Sequence, residues 1–451
     1  MEHEKIRELV AAGEFNRLDE SFSDMQPIDI ADILSDTGPD LLAGVLQSLD
    51  AELAADVLTC FDDHLQEALL EHLDSKHLTE IVDEMETDDA ADVIGTLSPE
   101  QAEEVIRGID SLDGEHVREL LTYDKDTAGG LMQAEFVAVP GNLTATKALA
   151  EVRNQGSQND QLHNVFIVDE EDRFLGMVAL NQMVFAEPDS LVASLVDGSP
   201  LSLKVTEDQE EVARFFSRYD LVSAPVVDDA GVLVGRVTID DVVDVMEEEA
   251  SEDIYHMAGM MAGETVFDSP AASIKKRLPW LCTYMLLGTL TIMVVAHFKS
   301  TIEAAFIAPL LPFVAGMGGN TGTQTLALMV RGIALGQIDA RNGYRALMKE
   351  ICVGVVNGIV IGAISGGACY LILNFMNFEG INPMMGVVLG IAMMLVFVMA
   401  ALSGTAIPLL LMKMGVDPAL ASGIFVTTSI DILGMFTFLG LATVYLRIAA
   451  G

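Results

Sequence analysis

The most restrictive feature of this sequence is a series of five long, nearly uncharged runs in its C-terminal part. A helix that crosses the hydrocarbon core of a bilayer needs about 20 apolar residues, and each run is long enough. The runs are Leu278–Phe298, Ala304–Val330, Ile351–Phe378, Gly380–Met412 and Pro418–Leu446, the last interrupted only by Asp431. The sequence therefore predicts a membrane domain of five helices.

The charge of the chain is divided as sharply as its hydropathy. The sequence has 68 acidic and 24 basic residues, for a net charge of -44 at pH 7. Six of the acids and ten of the bases follow residue 273, so the preceding part holds 62 acids against 14 bases. Such an acidic part is a poor nucleic-acid binder, because phosphate contacts need Lys and Arg. We therefore expect an acidic soluble part joined to an apolar membrane part, with no nucleic-acid partner.

Basic residues around the runs predict the orientation of the membrane domain. They precede the first run, lie between the second and third, and lie between the fourth and fifth. They are Lys275, Lys276 and Arg277, then Arg331, Arg341, Arg345 and Lys349, then Lys413. Because cytoplasmic loops are enriched in Lys and Arg, we expect the N-terminus and soluble domains in the cytoplasm and the C-terminus outside. The first 30 residues have no apolar signal-peptide core, so we expect the soluble half to stay in the cytoplasm and the chain to be a multi-pass protein of the cytoplasmic (inner) membrane.

A polar stretch from Pro309 to Gln324 lies inside the second run. It contains two prolines, four glycines and the sequence Asn320-Thr321-Gly322-Thr323. Glycines let helices approach closely, and Asn, Thr and Gln side chains at membrane depth need hydrogen-bond partners or water. Two interpretations stay open: tight packing between helices, or a segment that lines a pore or a substrate path.

Asp431 lies about midway along the fifth run. A carboxylate at this depth is costly unless it faces water, a cation or a basic partner, and no basic residue lies inside another run. It is either a protonated structural aspartate or, as we favour, a cation site to which Thr427, Thr428 and Ser429 add oxygen atoms. A two-fold dimer would place two such carboxylates about one axis. A site with only a few carboxylates is suitable for Mg²⁺, because this ion keeps much of its water shell when it binds.

The first 125 residues are predicted to be helical throughout. Leu49-Asp50, Leu73-Asp74 and Leu97-Ser98 recur every 24 residues, and each pair precedes apolar residues at helical spacing. This repeat predicts a short array of helix pairs that stack to share one core.

Residues 133–256 contain two copies of one pattern of strands and helices. The strands are predicted at Phe136–Val139, Val165–Val168 and Phe174–Val178, and again at Leu201–Val205, Ala224–Val227 and Leu233–Val237. The pattern resembles a tandem pair of cystathionine-β-synthase (CBS) domains, which are small sensory modules. Nucleotide-binding CBS domains carry Thr and Asp after the third strand. Thr238, Asp240 and Asp241 match in the second copy, whereas the first has Leu180, Asn181 and Gln182, so ATP binding stays open.

The order of these parts resembles the MgtE family of magnesium channels and transporters over essentially the whole chain. The most specific segments are Pro312–Gln324 and Asp417–Asp431. The resemblance implies an all-α helical-repeat (MgtE N) domain at 1–131, α/β CBS domains at 132–197 and 198–250, a long connecting (plug) helix at 251–273 and a five-helix pore domain at 274–451.

For the membrane domain, the resemblance implies a homodimeric, Mg²⁺-selective channel whose pore runs along the dimer axis between the second and fifth spans. Asp431 matches the family's selectivity-filter aspartate, and Thr427 matches a residue that offers its backbone carbonyl one turn earlier. Relatives with an asparagine near the filter have it where this chain has Gly423. Pore-lining positions are implied at Gly318, Gly319, Asn320, Gly322 and Thr428.

For the soluble part, the resemblance implies that cytosolic Mg²⁺ bridges the domains and the plug helix and holds the pore shut. The matching acids are Asp88, Asp89 and Asp92; Asp208, Glu210 and Asp220; and Asp241, Asp244, Glu249, Glu252 and Asp253. Loss of Mg²⁺ would release the plug, because ion occupancy shifts an equilibrium only through its differential affinity for the two states. Many of the acids also have a simpler interpretation, which is solvation of the surface.

Two further functions are compatible with the residues. A transporter that couples divalent-cation movement to Na⁺ or H⁺ would suit a helix broken by glycines. A membrane-anchored nucleotide sensor would suit the CBS pair alone. An enzyme is not expected, because no nucleophile–base or phosphate-loop pattern is present. Discrimination among Mg²⁺, Mn²⁺ and Co²⁺ does not follow from the sequence.

Overall fold

The computed structural model describes residues 2–22, 25–109, 111–155, 162–198, 200–261, 263–264, 269–305, 307–339, 341–376 and 382–450. The chain forms two compact units, Met1–Val245 and Met246–Gly451. Phe378 and Gly380, which bound two of the predicted runs, lie outside the described residues. Residues 262 and 265–268 of the predicted plug segment do so as well.

The N-terminal domain consists of short stacked helices. They are α1 Glu2–Ala11, α2 Asp19–Phe22, α3 Pro27–Leu34, α4 Pro39–Leu46, α5 Ala51–Thr59, α6 Asp63–Leu70, α7 Ser75–Val82, α8 Thr87–Thr96, α9 Pro99–Gly108 and α10 Ser111–Leu120. The 24-residue repeat marks helix starts, since Asp50, Asp74 and Ser98 are the N-cap residues of α5, α7 and α9. Helix α3 packs on α5, α5 on α7 and α7 on α9, which confirms the predicted array.

Two three-stranded sheets follow, one in each CBS unit. The first unit has β1 Ala138–Pro140, α11 Ala145–Gln155, β2 Asn164–Val168, β3 Phe174–Ala179 and α12 Leu180–Phe185. The second has β4 Leu203–Lys204, α13 Gln209–Tyr219, β5 Ser223–Val227, β6 Leu233–Thr238 and α14 Ile239–Met257. In each sheet the first strand pairs parallel with the second, which pairs antiparallel with the third. The predicted duplication is confirmed.

The segment between the helical domain and the first sheet pairs with the second CBS unit. The Ala128 N–H donates to the Glu207 carbonyl, and Gln133 and Arg236 exchange two backbone hydrogen bonds. The buried Ala128 and Met132 belong to one apolar core that extends from the helical domain into the second CBS unit. The first CBS unit has a separate core. The helical domain is therefore docked on the second CBS unit.

Helix α14 joins the second CBS unit to the membrane unit without a break in the helix. It begins at Ile239, earlier than the predicted start of the plug at residue 251, and it ends at Met257. No Gly or Pro interrupts this stretch. Gly259 follows with φ 73°, a conformation that glycine adopts without strain. The next helix begins at Pro270, with Ser269 as its N-cap.

The membrane unit contains α15 Pro270–His297, α16 Lys299–Ala305, α17 Leu311–Ala334, α18 Gly343–Met376, α19 Met385–Lys413 and α20 Pro418–Ala450. Helices α15, α18, α19 and α20 are each long and apolar enough to cross a membrane. A fifth span is obtained when α16 and Ala308–Ala334 are taken together as one bent pair. Helix α19 packs on α17, α18 and α20, and α15 packs on α20.

The predicted second run, Ala304–Val330, corresponds mainly to α17, and only its first two residues belong to α16. Helix α16 and the segment Ala308–Ala334 are bent by 105° relative to each other. Pro309 lies in a short 3-10 turn and Pro312 in the first turn of α17. Proline is tolerated in the first turn because its missing N–H would have no partner inside the helix. The polar stretch Gly316–Gln324 consequently lies within α17.

Candidate ion sites

The side chain of Asp431 is half-buried on α20, the helix that packs against α15, α17 and α19. Tyr284 of α15 is close enough for the charge of the Asp431 carboxylate to act on its side chain. In the described part of the chain, no Lys, Arg or His nitrogen comes within ion-pair distance of Asp431. A carboxylate in this position can accept a cation, because no resident charge neutralises it.

The polar stretch of α17 has two different faces. Gly318 and Gly322 are buried against α20, and a Cβ at Gly318 would lie 2.9 Å from Ile430 Cγ2. Gly319 and Asn320 point away from this contact: Asn320 is exposed, and a Cβ at Gly319 would meet nothing within 4 Å. Close packing therefore accounts for Gly318 and Gly322 within one chain. The pore-lining role of all four residues stays a prediction.

The two threonines before Asp431 are held differently. The Thr427 hydroxyl donates to the Gly423 carbonyl at 2.8 Å, inside the helix. The Thr428 hydroxyl is buried and has no hydrogen-bond partner among the described residues. Their predicted roles, a carbonyl ligand at Thr427 and a pore-lining position at Thr428, are not tested by these contacts.

The end of α14 lies against the start of α20. His256 is buried, with Nδ1 3.3 Å from Asp417 Oδ2 and Nε2 3.5 Å from Glu252 Oε1. The Met257 carbonyl approaches Gly423 so closely that a Cβ there would lie 2.6 Å from the oxygen. Gly423 precedes Asp431 by eight residues, about two helical turns. The connecting helix thus contacts the helix that carries the candidate ion site.

A second site is formed in the soluble unit, where α8 meets the start of α14. Asp88 is 8% exposed, and its Oδ1 atom has no hydrogen-bond partner among the described residues. Burial, and then the charges of Asp241, Asp89 and Glu86, raise the pKa of Asp88 well above its usual value. Burial and neighbouring acids also raise the pKa of Asp89 to about 7. These carboxylates come from two domains and repel one another.

Asp241 faces Asp88 and Asp89 from the first turn of α14. Its Oδ2 accepts hydrogen bonds from the Thr238 backbone N–H at 3.3 Å and the Thr238 hydroxyl at 2.5 Å. Burial, only partly offset by these bonds, raises the pKa of Asp241 to about 6. A divalent cation would offset the repulsion, and carboxylate oxygens are the ligands that Mg²⁺ prefers. The structure therefore brings together Asp88, Asp89 and Asp241, which the sequence places about 150 residues apart.

The other predicted sensor acids are not assembled into one site within the chain. Asp208 and Glu210 lie at the start of α13 and Asp220 at its end, about 16 Å along the helix. Glu210 is paired with Arg214 at 2.5 Å, and burial raises its pKa. Asp92 is exposed and one turn beyond Asp88 on α8. The remaining acids, Asp244, Glu249, Glu252 and Asp253, follow one another along α14.

No group of three or more His, Cys, Asp or Glu residues within the described ranges has a geometry ready to hold a metal. The acids at α8 and α14 are close enough to repel, but they are not arranged as a finished coordination shell. Glu86 and Asp240 belong to the same cluster, since their charges act on Asp89 and Asp241. The sequence does not single out Glu86, and it marks Asp240 only as a match to nucleotide-binding CBS domains.

Family models match most of the chain. The model described as MgtE intracellular N domain matches residues 25–126, CBS domain matches 128–188 and 192–248, and Divalent cation transporter matches 311–441. These matches follow the same order as the helical array, the two sheets and the membrane helices.

Individual proteins match over similar lengths. The magnesium transporter MgtE of Enterococcus faecalis is 34% identical over 75% of this chain and 73% of its own length. That of Thermus thermophilus is 35% identical over 73% of this chain and 72% of its own. The cytosolic domain of the Mg²⁺ channel MgtE in complex with ATP is similar at 31% identity and a TM-score of 0.50, covering 53% of this chain and 98% of that one.

Proposed function

This chain belongs to the MgtE family of magnesium transporters, and from that premise we propose that it is a Mg²⁺-selective channel closed by cytosolic Mg²⁺. It carries Mg²⁺ across the cytoplasmic membrane into the cell, with the soluble domains inside and the C-terminus outside. The observation that carries the proposal is the pairing of two acidic sites: Asp431 in the membrane, and Asp88, Asp89 and Asp241 at a domain contact.

Asp431 selects the ion. One carboxylate is a weak site for a divalent cation, so the channel works as a homodimer with two copies of Asp431 about the pore axis. Mg²⁺ passes with part of its water shell. The two Asp431 carboxylates and the Thr427 carbonyl bind the water molecules of that shell. Asn320 and Gly319 line the same pore from the exposed face of α17.

The α8–α14 acids sense the ion. Without a divalent cation the carboxylates of Asp88, Asp89 and Asp241 repel across the contact and favour separation of the helical domain from the second CBS unit. Bound Mg²⁺ offsets this repulsion and stabilises the docked form. The buried Asp88 oxygen without a partner supports this role, since an orphan carboxylate oxygen in a contact is costly unless a cation or water satisfies it.

The end of α14 is the gate. Its contacts at Gly423 and Asp417 lie at the start of α20, which in the proposed orientation is the cytoplasmic end. Docking of the soluble domains holds this helix in place, and their separation releases it, so that the pore opens when cytosolic Mg²⁺ falls. ATP binding by the CBS pair is a further proposal, motivated by the relative solved with ATP and by Thr238, Asp240 and Asp241.

A flux measurement in liposomes separates a channel from a coupled transporter. The purified protein is reconstituted, and Mg²⁺ entry is followed with an internal dye under four conditions: with and without a Na⁺ gradient, and with and without a proton gradient. A channel gives entry that follows the Mg²⁺ gradient and the membrane potential alone. Entry that requires either coupling gradient would replace the channel with a Na⁺- or H⁺-coupled transporter.

A further inference from the structure

A chain of three polar side chains, two of them buried, crosses from the second CBS unit to the helical domain beside the acid cluster. Arg236 of β6 is 4% exposed, and its Nε donates to Gln133 Oε1 at 3.2 Å. Gln133 is 2% exposed, and its Nε2 donates to Glu86 Oε2 at 2.6 Å. Glu86 is the N-cap residue of α8, which carries Asp88 and Asp89.

The direction of these hydrogen bonds follows from the chemistry of the three side chains. A guanidinium only donates and a carboxylate only accepts, so the amide between them must turn its oxygen to Arg236 and its nitrogen to Glu86. The two backbone hydrogen bonds between Gln133 and Arg236 fix the spacing of this pair. The side chain of Gln133 therefore links Arg236 to Glu86 at the start of α8.

A second pair of hydrogen bonds holds the same end of α8. The Thr87 hydroxyl donates to Glu135 Oε2 at 2.8 Å, and the Ala134 N–H donates to Thr87 Oγ1 at 2.9 Å. Thr87 is buried and directly precedes Asp88. Residues 133–135 consequently hold the two residues that begin the acidic helix.

Arg236 brings a positive charge to a contact that is otherwise acidic. Glu86, Asp88, Asp89, Asp240 and Asp241 lie on the two sides, and the charge of Arg236 acts on Glu86 directly. An arginine stays charged at every physiological pH. Its attraction for Glu86 is present whether or not Mg²⁺ is bound, and burial of the guanidinium strengthens it.

We propose that Arg236 is a resident cation of this contact and that Arg236, Gln133 and Glu86 form a latch that holds the helical domain on the second CBS unit. The latch lowers the Mg²⁺ concentration needed for closure, because part of the repulsion is already offset. This inference rests on the proposed function only for its effect on Mg²⁺ sensing. Its effect on docking stands without Mg²⁺.

The test is hydrogen exchange of the full chain in detergent, resolved at the Ala134 amide. That amide reports docking, because its acceptor Thr87 lies in the helical domain. Wild type, Arg236→Gln and Arg236→Lys are compared in EDTA and across a Mg²⁺ titration. Arg173→Gln is the matched control, since it removes one exposed arginine paired with Glu171 in the first CBS unit. Backbone amides of β5 and β6 report whether the second CBS unit stays folded.

The latch predicts that in EDTA the Ala134 amide exchanges at least about fivefold faster in Arg236→Gln than in wild type. Arg236→Lys, which keeps the charge, recovers part of the protection, and Arg173→Gln behaves like wild type. The Mg²⁺ midpoint rises by a similar factor in Arg236→Gln. If the amides of β5 and β6 lose protection in Arg236→Gln, the Gln133→Met variant is used for the test instead. This substitution removes the hydrogen bonds from Gln133 to Arg236 and Glu86 but keeps the charge of Arg236.

Equal exchange in EDTA for wild type and a folded Arg236→Gln or Gln133→Met would overturn the latch. A wild-type chain whose Ala134 amide does not respond to Mg²⁺ would count against the proposed sensor instead. In that case the comparison of exchange rates in EDTA still tests whether the latch exists. A failure of the latch and a failure of the proposed Mg²⁺ sensor can therefore be told apart.

Discussion

The two acidic sites of this protein differ in how they are built. At α8 and α14, several carboxylates from separate domains are pressed together, and their pKa values are raised by burial and by one another. In the membrane unit, Asp431 is the single acid of a long apolar helix. The first arrangement has more acidic than basic side chains, and in the proposed dimer the second is completed by another copy of the chain.

This difference suits two tasks that use one ion. A contact between repelling acids changes its stability with each cation that binds, so it can report concentration. In the proposed dimer, a lone carboxylate that meets its copy across the axis would bind weakly enough to release an ion, which conduction requires. We therefore expect substitutions in the two sites to separate selectivity from closure.

The largest effect is expected for Asp431→Asn. The substitution keeps the shape of the side chain but removes the charge that offsets dehydration of the ion, so Mg²⁺ flux into liposomes should fall by more than about tenfold. Mg²⁺-dependent protection of the soluble domains from protease should be unchanged. Glu303→Gln is the control, because this exposed acid pairs with Lys299 in the same unit. Unchanged Mg²⁺ flux and selectivity in Asp431→Asn would show that Asp431 is not a selectivity-filter residue.

The next effect is expected when Asp241, Glu252 and Asp253 are neutralised together as Asn, Gln and Asn. Fewer acids are left to bind Mg²⁺ in the docked form, so shut-off should need about tenfold more cytosolic Mg²⁺. Conduction at low Mg²⁺ should not exceed that of wild type, because loss of the Asp241 charge also weakens the repulsion between the domains. Currents recorded against cytosolic Mg²⁺ provide the measurement. A normal midpoint in this triple variant would argue that these acids only solvate the surface.

Gly423→Ala should weaken the gate without touching either acidic site. The new Cβ would lie 2.6 Å from the Met257 carbonyl, so the end of α14 must move away from α20. Overpacking of this kind costs about 1–3 kcal/mol, which shifts the closed fraction about fivefold or more. Gly440→Ala on the same helix is the control, because a Cβ there meets nothing within 4 Å. Equal shut-off in both variants would mean that α14 does not close the pore through this contact.

The smallest effect is a pH dependence of docking without Mg²⁺. The pKa values of Asp89 and Asp241 in the docked form, about 7 and about 6, are above that of a free aspartate. The docked form therefore binds more protons, and docking strengthens as pH falls from about 8 to about 5. Protease protection in EDTA should increase across this window, and saturating Mg²⁺ should abolish the trend. Protection that weakens on acidification would contradict the docked acid cluster.

Much of the architecture follows from local patterns. The 24-residue repeat predicts helix starts because Asp50, Asp74 and Ser98 are N-cap residues. All six strands are present where alternating and apolar residues predict them. Hydropathy predicts the membrane spans because the bilayer requires length and apolarity alone. Asp431 stands out for the same reason, since it is the one acid in an otherwise uncharged run.

Other features depend on contacts that the sequence does not display. One is the bend of 105° between α16 and the segment Ala308–Ala334, because composition indicates length and apolarity but not the direction of a helix. Asp88 and Asp241 come together only because the helical domain packs on the second CBS unit. The sequence does not show which acidic residues lie at such a contact and which are exposed to solvent. The close approach of the Met257 carbonyl to Gly423 is likewise not visible in the sequence.

The central claim is that the ion selected at Asp431 is also the ion that closes the channel from the cytoplasm. Inside-out patches of membrane that contain the wild-type protein test it directly, with Mg²⁺ as the only permeant cation outside and no Na⁺ or proton gradient. Cytosolic Mg²⁺ is stepped from the micromolar to the millimolar range. We predict discrete Mg²⁺ currents at low cytosolic Mg²⁺ that disappear as its concentration rises. Currents whose open probability does not change with cytosolic Mg²⁺ would contradict the account.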